Sequence, residues 1–246
     1  MAKNRFKGKT CAYCALPGSG ADGDHVVCRQ FFLERQRGNL PKVPACKSCN
    51  GRKADLERYL TAVMPFGGRH SEATESLNTM GPRRLGGNLK LARELMAGVQ
   101  YGVPLDSSGA GTITIPFDSE QLRDLYEMIA RGLAWHHWEL LLPPATVNVY
   151  GWFTTPEGTA LFERLFQHNA RRRVTRQLGG AFVYEGAQAK DYEQFTIWRM
   201  SLYGAVMANN HDKTTQVGYV ITAPKAMAAA SQFIQLLDRI REPKAA

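Results

Sequence analysis

The chain has 246 residues, of which 44% are apolar, and a formal net charge of +9 at pH 7. This length is enough for two modules of ordinary size or for one larger domain with a real hydrophobic core. No run of about twenty apolar residues occurs, and the basic N-terminus lacks an apolar stretch, so neither a membrane span nor a secretory signal is predicted. We therefore expect a cytoplasmic protein in a reducing compartment.

Two CxxC pairs, Cys11 with Cys14 and Cys46 with Cys49, frame the first motif-bearing stretch. A CxxC turn presents two thiolates to one ion, and two such turns complete a tetrahedral four-cysteine zinc site. Redox-active or disulfide-bonded cysteines are the alternative, which a reducing cytosol disfavours. The pattern predicts a structural Zn²⁺ site that holds the fold and does no chemistry. Cys28 lies outside the pairs and is expected to be a half-buried free thiol.

A hairpin and a helix are predicted in and after the stretch between the two pairs. The first strand begins at Asp24 and runs through Val27, with β-branched residues at its end. Lys42 to Ala45 forms the second strand. Asn50 is expected to open a helix, at a position where Asn is favoured, and the helix is expected to stop before Pro65.

The order of these residues, over about residues 5–62, resembles the HNH endonucleases in their zinc-bearing, four-cysteine form. The resemblance implies a ββα-metal, treble-clef-like fold for this module. It also implies that His25 is the general base and that Asn39 orients the loop and His25. Asp24 and Asn50 would hold a catalytic divalent ion, and oxygen ligands of this kind suit Mg²⁺ or Mn²⁺.

Two positions depart from the usual pattern of that family. Asn50 stands where the family often has His, and Cys28 stands where it often has Pro. Neither departure removes the group that would act as the base. The Cys-Asn-x-x-Lys ending is present as Cys49 to Lys53, which implies that Lys53 lies near a phosphate.

Positive charge is concentrated on the same module. Residues 1–60 hold twelve Lys or Arg against five Asp or Glu, a balance of +7. A solvated face is the ordinary explanation of a charge run, but overlap with the motif favours a polyanionic partner. The predicted nucleic-acid contacts are Arg29, Arg35, Arg37, Arg52, Lys53 and, further along the chain, Arg171, Arg172 and Arg173.

Residues 65–99 are predicted to be a linker with one short helix, because Gly and Pro recur over 65–88 and an apolar stripe follows over 89–99. Residues 100–246 are predicted to be a mixed α+β domain with an antiparallel sheet. Asp118 is expected to cap a helix, and Phe195 to Tyr203 to form a long central strand. The last predicted element is an amphipathic helix from Pro224 to Ile240.

Two polar groups in the second half carry weaker functional interpretations. His136, His137 and Glu139 suggest a metal site, but adjacent side chains point apart on a helix or strand, so a structural role is favoured. The run from Arg171 to Arg173 fits a phosphate backbone as well as it fits a solvated turn.

The function expected from the resemblance is metal-dependent hydrolysis of DNA phosphodiester bonds. A single HNH centre nicks one strand, so a double-strand cut would need a homodimer or two events. Restriction or anti-phage defence, and a regulatory protein partner, are contexts that only the resemblance suggests. The alternatives are a zinc-stabilised nucleic-acid-binding module without catalysis and an RNase using the same centre.

Overall fold

The computed structural model describes residues 5–102, 112–115, 117–153, 159–160, 162–163, 166–167, 170–204, 206–207 and 215–228. The chain is α+β, as predicted from its sequence. Its helices include α1 Lys47–Gly67, α2 Ser71–Gly86, α3 Leu89–Ala97, α4 Ser119–Trp138 and α5 Lys225–Ala228. No helix in these described residues is long and apolar enough to cross a bilayer. Most of the predicted C-terminal helix lies outside the described residues.

Within the part of the chain that the structure describes, the strands form one large sheet and three two-stranded sheets. The small sheets pair β1 with β2, β3 with β4 and β9 with β10, and the large one has the order β5-β11-β8-β7-β6 with every pair antiparallel. In chain order the strands are β1 Asp22–His25, β2 Lys42–Ala45, β3 Gln100–Gly102, β4 Thr112–Thr114, β5 Val147–Phe153, β6 Ala170–Leu178, β7 Phe182–Ala189, β8 Thr196–Leu202, β9 Val206–Met207, β10 Thr215–Gln216 and β11 Gly218–Pro224.

The predicted hairpin is present, with both ends of its first strand shifted by two residues. β2 has the predicted bounds, whereas β1 begins at Asp22 and ends at His25 rather than at Val27. Val26 still donates its backbone N–H to the Pro41 carbonyl at 2.9 Å, but its side chain and that of Val27 turn into the core and are fully buried. The β-branched residues therefore serve packing beyond the strand.

Helix α1 begins earlier and ends later than predicted. Cys46, not Asn50, is its N-cap, because the Cys46 sulfur accepts a hydrogen bond from the Cys49 backbone N–H. The helix continues through Pro65, which has no N–H to donate to the Thr61 carbonyl four residues earlier. Arg84 Nη1 donates to that carbonyl at 2.8 Å, so the acceptor freed by the proline is satisfied from another helix.

A helix, α2, occupies most of the stretch that was predicted to be a loop. The His70 ring accepts a hydrogen bond from the Glu72 backbone N–H at 3.2 Å and caps the helix, despite Gly81 and Pro82 within it. Only Ala73 and Ser76 of this helix are fully buried. Because small residues form the buried face, hydrophobic periodicity did not reveal the helix.

The five-stranded sheet has buried apolar residues on both of its faces. Its middle strand is β8, which confirms the long central strand predicted at 195–203. On one face, Trp138 of α4 stacks against Trp198 with ring centroids 4.9 Å apart. On the other face, Phe162 packs edge-to-face on Tyr219 at 4.4 Å. The edge strand β6 was not predicted, because Arg and Gln occupy most of its positions.

The N-terminal module packs directly on the sheet. One hydrophobic cluster contains Val26 and Phe31 from the module together with Leu133 of α4 and Trp198 of the sheet. The hydroxyl of Tyr203 donates to the Phe31 carbonyl at 2.6 Å, and the rings of these two residues meet edge-to-face. Described residues from both predicted domains, 1–64 and 100–246, therefore contribute to one hydrophobic cluster.

Gly186 on β7 lets the indole of Trp198 lie flat against the sheet. A Cβ at this position would sit 2.2 Å from the ring carbon Cζ3. We expect Gly186→Ala to lower the free energy of unfolding by about 1–3 kcal/mol, because the buried ring must shift. Denaturant unfolding measures this, and Gly38→Ala, where a Cβ meets nothing within 4 Å, is the control. Equal stability of the two variants would contradict the packing described here.

Candidate functional site

The four cysteines of the two CxxC pairs converge on one point. Their sulfur atoms all lie within 4.8 Å of one another, and the sulfurs of Cys14 and Cys46 are 3.9 Å apart. Tetrahedral zinc with Zn–S bonds of about 2.3 Å separates its sulfurs by about 3.8 Å. The Cys11 sulfur also accepts the Cys46 backbone N–H at 3.4 Å, which ties the first pair to the start of α1. The cluster fits a metal ion such as zinc.

Burial and the neighbouring cysteines shift the pKa values of three of these thiols. Burial raises the pKa of Cys14 and of Cys49, and the neighbouring cysteines act in the same direction on Cys49. Burial opposes ionisation of Cys46 too, but the hydrogen bond from the Cys49 backbone and the adjacent thiols outweigh it and lower that pKa. A metal ion bound at this point would hold the four sulfurs as thiolates, because its charge compensates theirs.

Cys28 is a free thiol apart from this cluster, as expected. Its sulfur accepts the Gln30 backbone N–H at 3.4 Å at the start of a short 3₁₀ turn, Arg29–Phe31. Burial, with a contribution from Glu57, raises the pKa of Cys28 to about 12. The thiol is thus protonated at neutral pH and is a poor ligand.

Asp24 lies in a buried ionic network between β1 and α1. Its Oδ2 accepts a hydrogen bond of 2.5 Å from the Tyr13 hydroxyl and lies 3.0 Å from the Lys53 ammonium. Lys53 also pairs with Glu57 and donates to the His25 carbonyl at 2.7 Å. These contacts hold the hairpin against the helix. They engage Asp24, the residue that the resemblance assigns to a catalytic metal ion.

The position of Lys53 corrects its predicted role. Its side chain is fully buried, so in this arrangement its ammonium does not reach a nucleic-acid phosphate. Burial alone lowers the pKa of Lys53, but the charges of Glu57 and Asp24 outweigh burial and raise it. Burial raises the pKa of Glu57, and the charge of Lys53 only partly offsets that effect. Lys53 thus acts as a buried counter-ion to two carboxylates.

Removing that counter-ion is expected to be costly. We expect Lys53→Met to lower the free energy of unfolding by about 3–5 kcal/mol, because two buried carboxylates lose their compensating charge. The deficit should shrink on acidification, since the variant's buried carboxylates can then take up protons. Urea unfolding at several pH values measures both effects. Lys47→Met, at an exposed position of the same helix, is the control; a deficit that grows on acidification would contradict the network.

His25 faces a basic cavity of about 460 Å³. It is the last residue of β1, opposite Lys42, and adjacent strand residues alternate in direction, so His25 and Asp24 point to opposite sides. Asn39 lines the same cavity from the loop before β2. The positively charged and histidine side chains of the lining are Arg5, His25, Arg29, Arg37, Lys42 and His136.

His25 is neutral at physiological pH in this cavity. Burial lowers the pKa of His25 to about 4, and the charges of Lys42 and Arg29 act in the same direction. Asn39 holds a left-handed backbone conformation, φ 56°, which Asn tolerates better than most residues. An unprotonated imidazole beside cationic side chains can accept a proton next to a bound anion.

The structure thus divides the residues predicted for the catalytic centre. His25 and Asn39 share the cavity, whereas Asp24 lies in the ionic network. Asn50 is an exposed residue of α1 whose backbone N–H bonds the Cys46 carbonyl at 3.0 Å. Asp24 and Asn50 both lie in the part of the chain that the structure describes, and neither of them lines the cavity.

The arginines predicted to contact nucleic acid are placed differently from one another. Arg29 and Arg37 line the His25 cavity. Arg37 also donates from Nε to the Arg29 and Phe32 carbonyls, at 3.1 Å each, and so supports the loop. Arg35 and Arg52 form exposed ion pairs, with Glu75 and with Asp124 respectively. The run 171–173 lies on strand β6 and not in a turn.

Sequence reasoning missed Tyr13, Glu57 and the place of His136. Tyr13 stands inside the first CxxC turn, and Glu57 follows Lys53 by one helical turn, a spacing that signals an ion pair. His136 was weighed only as a metal ligand. In the described residues it belongs to no group that could hold a metal, and His137 instead bonds the Tyr184 hydroxyl at 2.9 Å.

Comparison with known proteins identifies no relative. No family model matches this chain, and neither the search of curated proteins nor that of solved structures found a significant match.

Proposed function

We propose that this protein is a metal-dependent endonuclease of the HNH type that hydrolyses DNA phosphodiester bonds. The observation that carries the proposal is His25, an unprotonated histidine facing a basic cavity at the end of a β-hairpin. The second strand of that hairpin runs through the four-cysteine cluster into α1, so strand, strand and helix follow one another as the resemblance requires. Zn²⁺ would hold this arrangement through the four cysteines.

The chemistry proposed for the chain's own residues follows from the cavity. His25 accepts a proton from the attacking water, and Arg29 with Arg37 holds the phosphate by charge. Asn39 lines the cavity beside His25 and fixes the loop. The resemblance assigns a Mg²⁺ or Mn²⁺ ion to Asp24 and Asn50, and such an ion would supply charge stabilisation to a leaving oxygen. Neither residue lines the cavity, so the roles proposed for this cavity are those of His25, Arg29 and Arg37.

One observation favours a second candidate, a zinc-stabilised nucleic-acid-binding module without catalysis. The ammonium of Lys53, 3.0 Å from Asp24, repels a cation at that carboxylate. In this candidate the same basic cavity binds a phosphate and no hydrolysis follows. An RNase using the same centre is a third outcome, and matched DNA and RNA substrates distinguish it.

The two candidates separate in a plasmid assay. Zinc-loaded protein with added Mg²⁺ or Mn²⁺ is expected to convert supercoiled DNA to open circles, because one centre cuts one strand. Linear product without an open-circle intermediate would instead indicate a homodimer that cuts both strands. Binding of the plasmid without conversion by correctly folded protein would favour the module without catalysis. A role in restriction or anti-phage defence, with a regulatory partner, is a proposal that rests on the resemblance alone.

A further inference from the structure

Strand β6 places its arginines on two different faces of the sheet. A bulge lies between Ala170 and Arg172, and the pairing with β7 is regular from Arg172 onward. Side chains alternate along a strand, so Arg172 and Arg176 lie on the same face as Val174 and Leu178. Those two apolar residues pack against the cluster that contains α4. Arg172 and Arg176 are exposed at this edge of the sheet.

A series of neighbouring residues links the face that carries Arg172 and Arg176 to the His25 cavity. Arg176 is paired with Tyr184 across β6 and β7. The Tyr184 hydroxyl lies 2.9 Å from His137 Nε2, and the rings of His137 and His136 meet at 4.8 Å. His136 lines the cavity together with His25. The positive charge of Arg176 also acts on His136 and His137, because it adds to the effect of burial in lowering the pKa of both.

Arg171 and Arg173 of β6 do not lie on this face, and each contacts other residues. Arg173 donates to the Gln167 carbonyl at 2.7 Å and lies 5.6 Å from the centroid of the Phe166 ring. Arg171, at the bulge, forms an ion pair of 2.8 Å with Glu193. The three consecutive arginines that look equivalent in the sequence therefore differ in their surroundings.

We propose that a nucleic-acid backbone leaves the His25 cavity past His136 and continues along the α4-facing edge of β6, where Arg176 and then Arg172 contact separate phosphates of one strand. The proposal rests on the proposed function in taking nucleic acid as the partner of the cavity. It adds a defined path, and it assigns contact to Arg172 and Arg176 but not to Arg171 or Arg173.

The dimensions of the edge suit a phosphate backbone. Four residues of strand separate Arg172 from Arg176, a span of about 13 Å. One strand of B-DNA places a phosphate every 3.4 Å or so along the helix axis, so the two guanidiniums span roughly four phosphates. Both side chains are exposed and long, so they can follow a backbone without base contacts, and the binding they contribute is independent of sequence.

The test compares two variants with equal charge. Arg172→Gln with Arg176→Gln, and Arg171→Gln with Arg173→Gln, each remove two positive charges from the same strand. Both pairs of substitutions are made in the His25→Ala protein. Because this parent is expected to bind DNA without cleaving it, the measured Kd reports binding alone. The probe is a labelled 20-base-pair duplex of mixed sequence, and fluorescence anisotropy gives Kd across a salt series. Thermal unfolding confirms that each variant is folded.

We expect the Arg172/Arg176 variant to reduce the slope of log K against log salt by about 1.8, and to bind roughly 10- to 60-fold more weakly near 0.1 M salt. The Arg171/Arg173 variant should keep the slope of the parent within about 0.5. Equal losses in the two variants, an unchanged Arg172/Arg176 variant, or a parent that does not bind the duplex would overturn the path. Because Kd is measured without catalysis, failure of the plasmid assay alone leaves this result standing.

Discussion

Loss of the cysteine-bound metal is expected to unfold the N-terminal module. Cys49→Ser should reduce bound zinc from one equivalent per chain to none and remove the cooperative melting of the protein. Metal binding at structural zinc sites of this kind supplies about 10–16 kcal/mol of apparent free energy at neutral pH. The sulfur of Cys46, another member of the cluster, also caps α1, so the cluster and the start of this helix share a residue. Elemental analysis and circular dichroism measure the two effects.

Cys28→Ser is the matched control for that experiment. Its sulfur lies outside the four-cysteine cluster, so the variant should keep one zinc per chain and melt cooperatively. Acidification should release the metal from the wild-type protein, because protons compete with the ion for the thiolates. A Cys49→Ser protein that melts like wild type would show that the cluster does not stabilise the fold.

His25→Ala should reduce DNA cleavage by about 10²- to 10⁴-fold, the usual contribution of a positioned general base. DNA binding should persist, because the arginines that line the cavity remain. In the free protein the imidazole is unprotonated at every pH well above 4, so its own titration should leave the rate unchanged between about pH 6 and 8. The rate should fall only as acidification approaches the pKa of about 4. Nicking rates and anisotropy titrations check these outcomes.

His70→Asn is the control for the loss of a histidine. His70 caps α2, where Asn also provides a good acceptor, and it does not line the His25 cavity. Its nicking rate should match that of the wild type. Cleavage by His25→Ala at the wild-type rate would remove His25 from the mechanism and favour a different base.

The sequence predicted those parts of the protein whose physical signals are local. Two CxxC turns predict the cysteine cluster, and alternating bulky residues predict β8 at the centre of an antiparallel sheet. Asp118 caps α4 through its side chain, as its spacing to Gln121 indicates. The strand β8 and the Asp118 cap depend on residues close in the chain. The cysteine cluster depends on a four-ligand metal geometry that few folds satisfy.

The features that were not predicted depend on distant partners. Nothing near Lys53 in the sequence shows that β1 will bury its ammonium against Asp24, so a basic residue in a basic stretch looked exposed. Helix α1 continues past Pro65 because Arg84, nineteen residues later in the chain, supplies the missing donor. His136 reaches the His25 cavity only through the packing of α4 on the hairpin.

The hydrogen bond from Tyr203 to the Phe31 carbonyl has a consequence for synthesis of the protein. The two residues are 172 positions apart in the chain. At about 5–20 residues per second on a ribosome, the cysteine-bearing hairpin emerges roughly 10–30 s before the strand that covers it. During that interval the sheet cannot bury Phe31. A metal ion bound by the four cysteines would be the cross-link that holds the hairpin. Zinc supply during translation is therefore expected to determine how much of the nascent chain escapes aggregation.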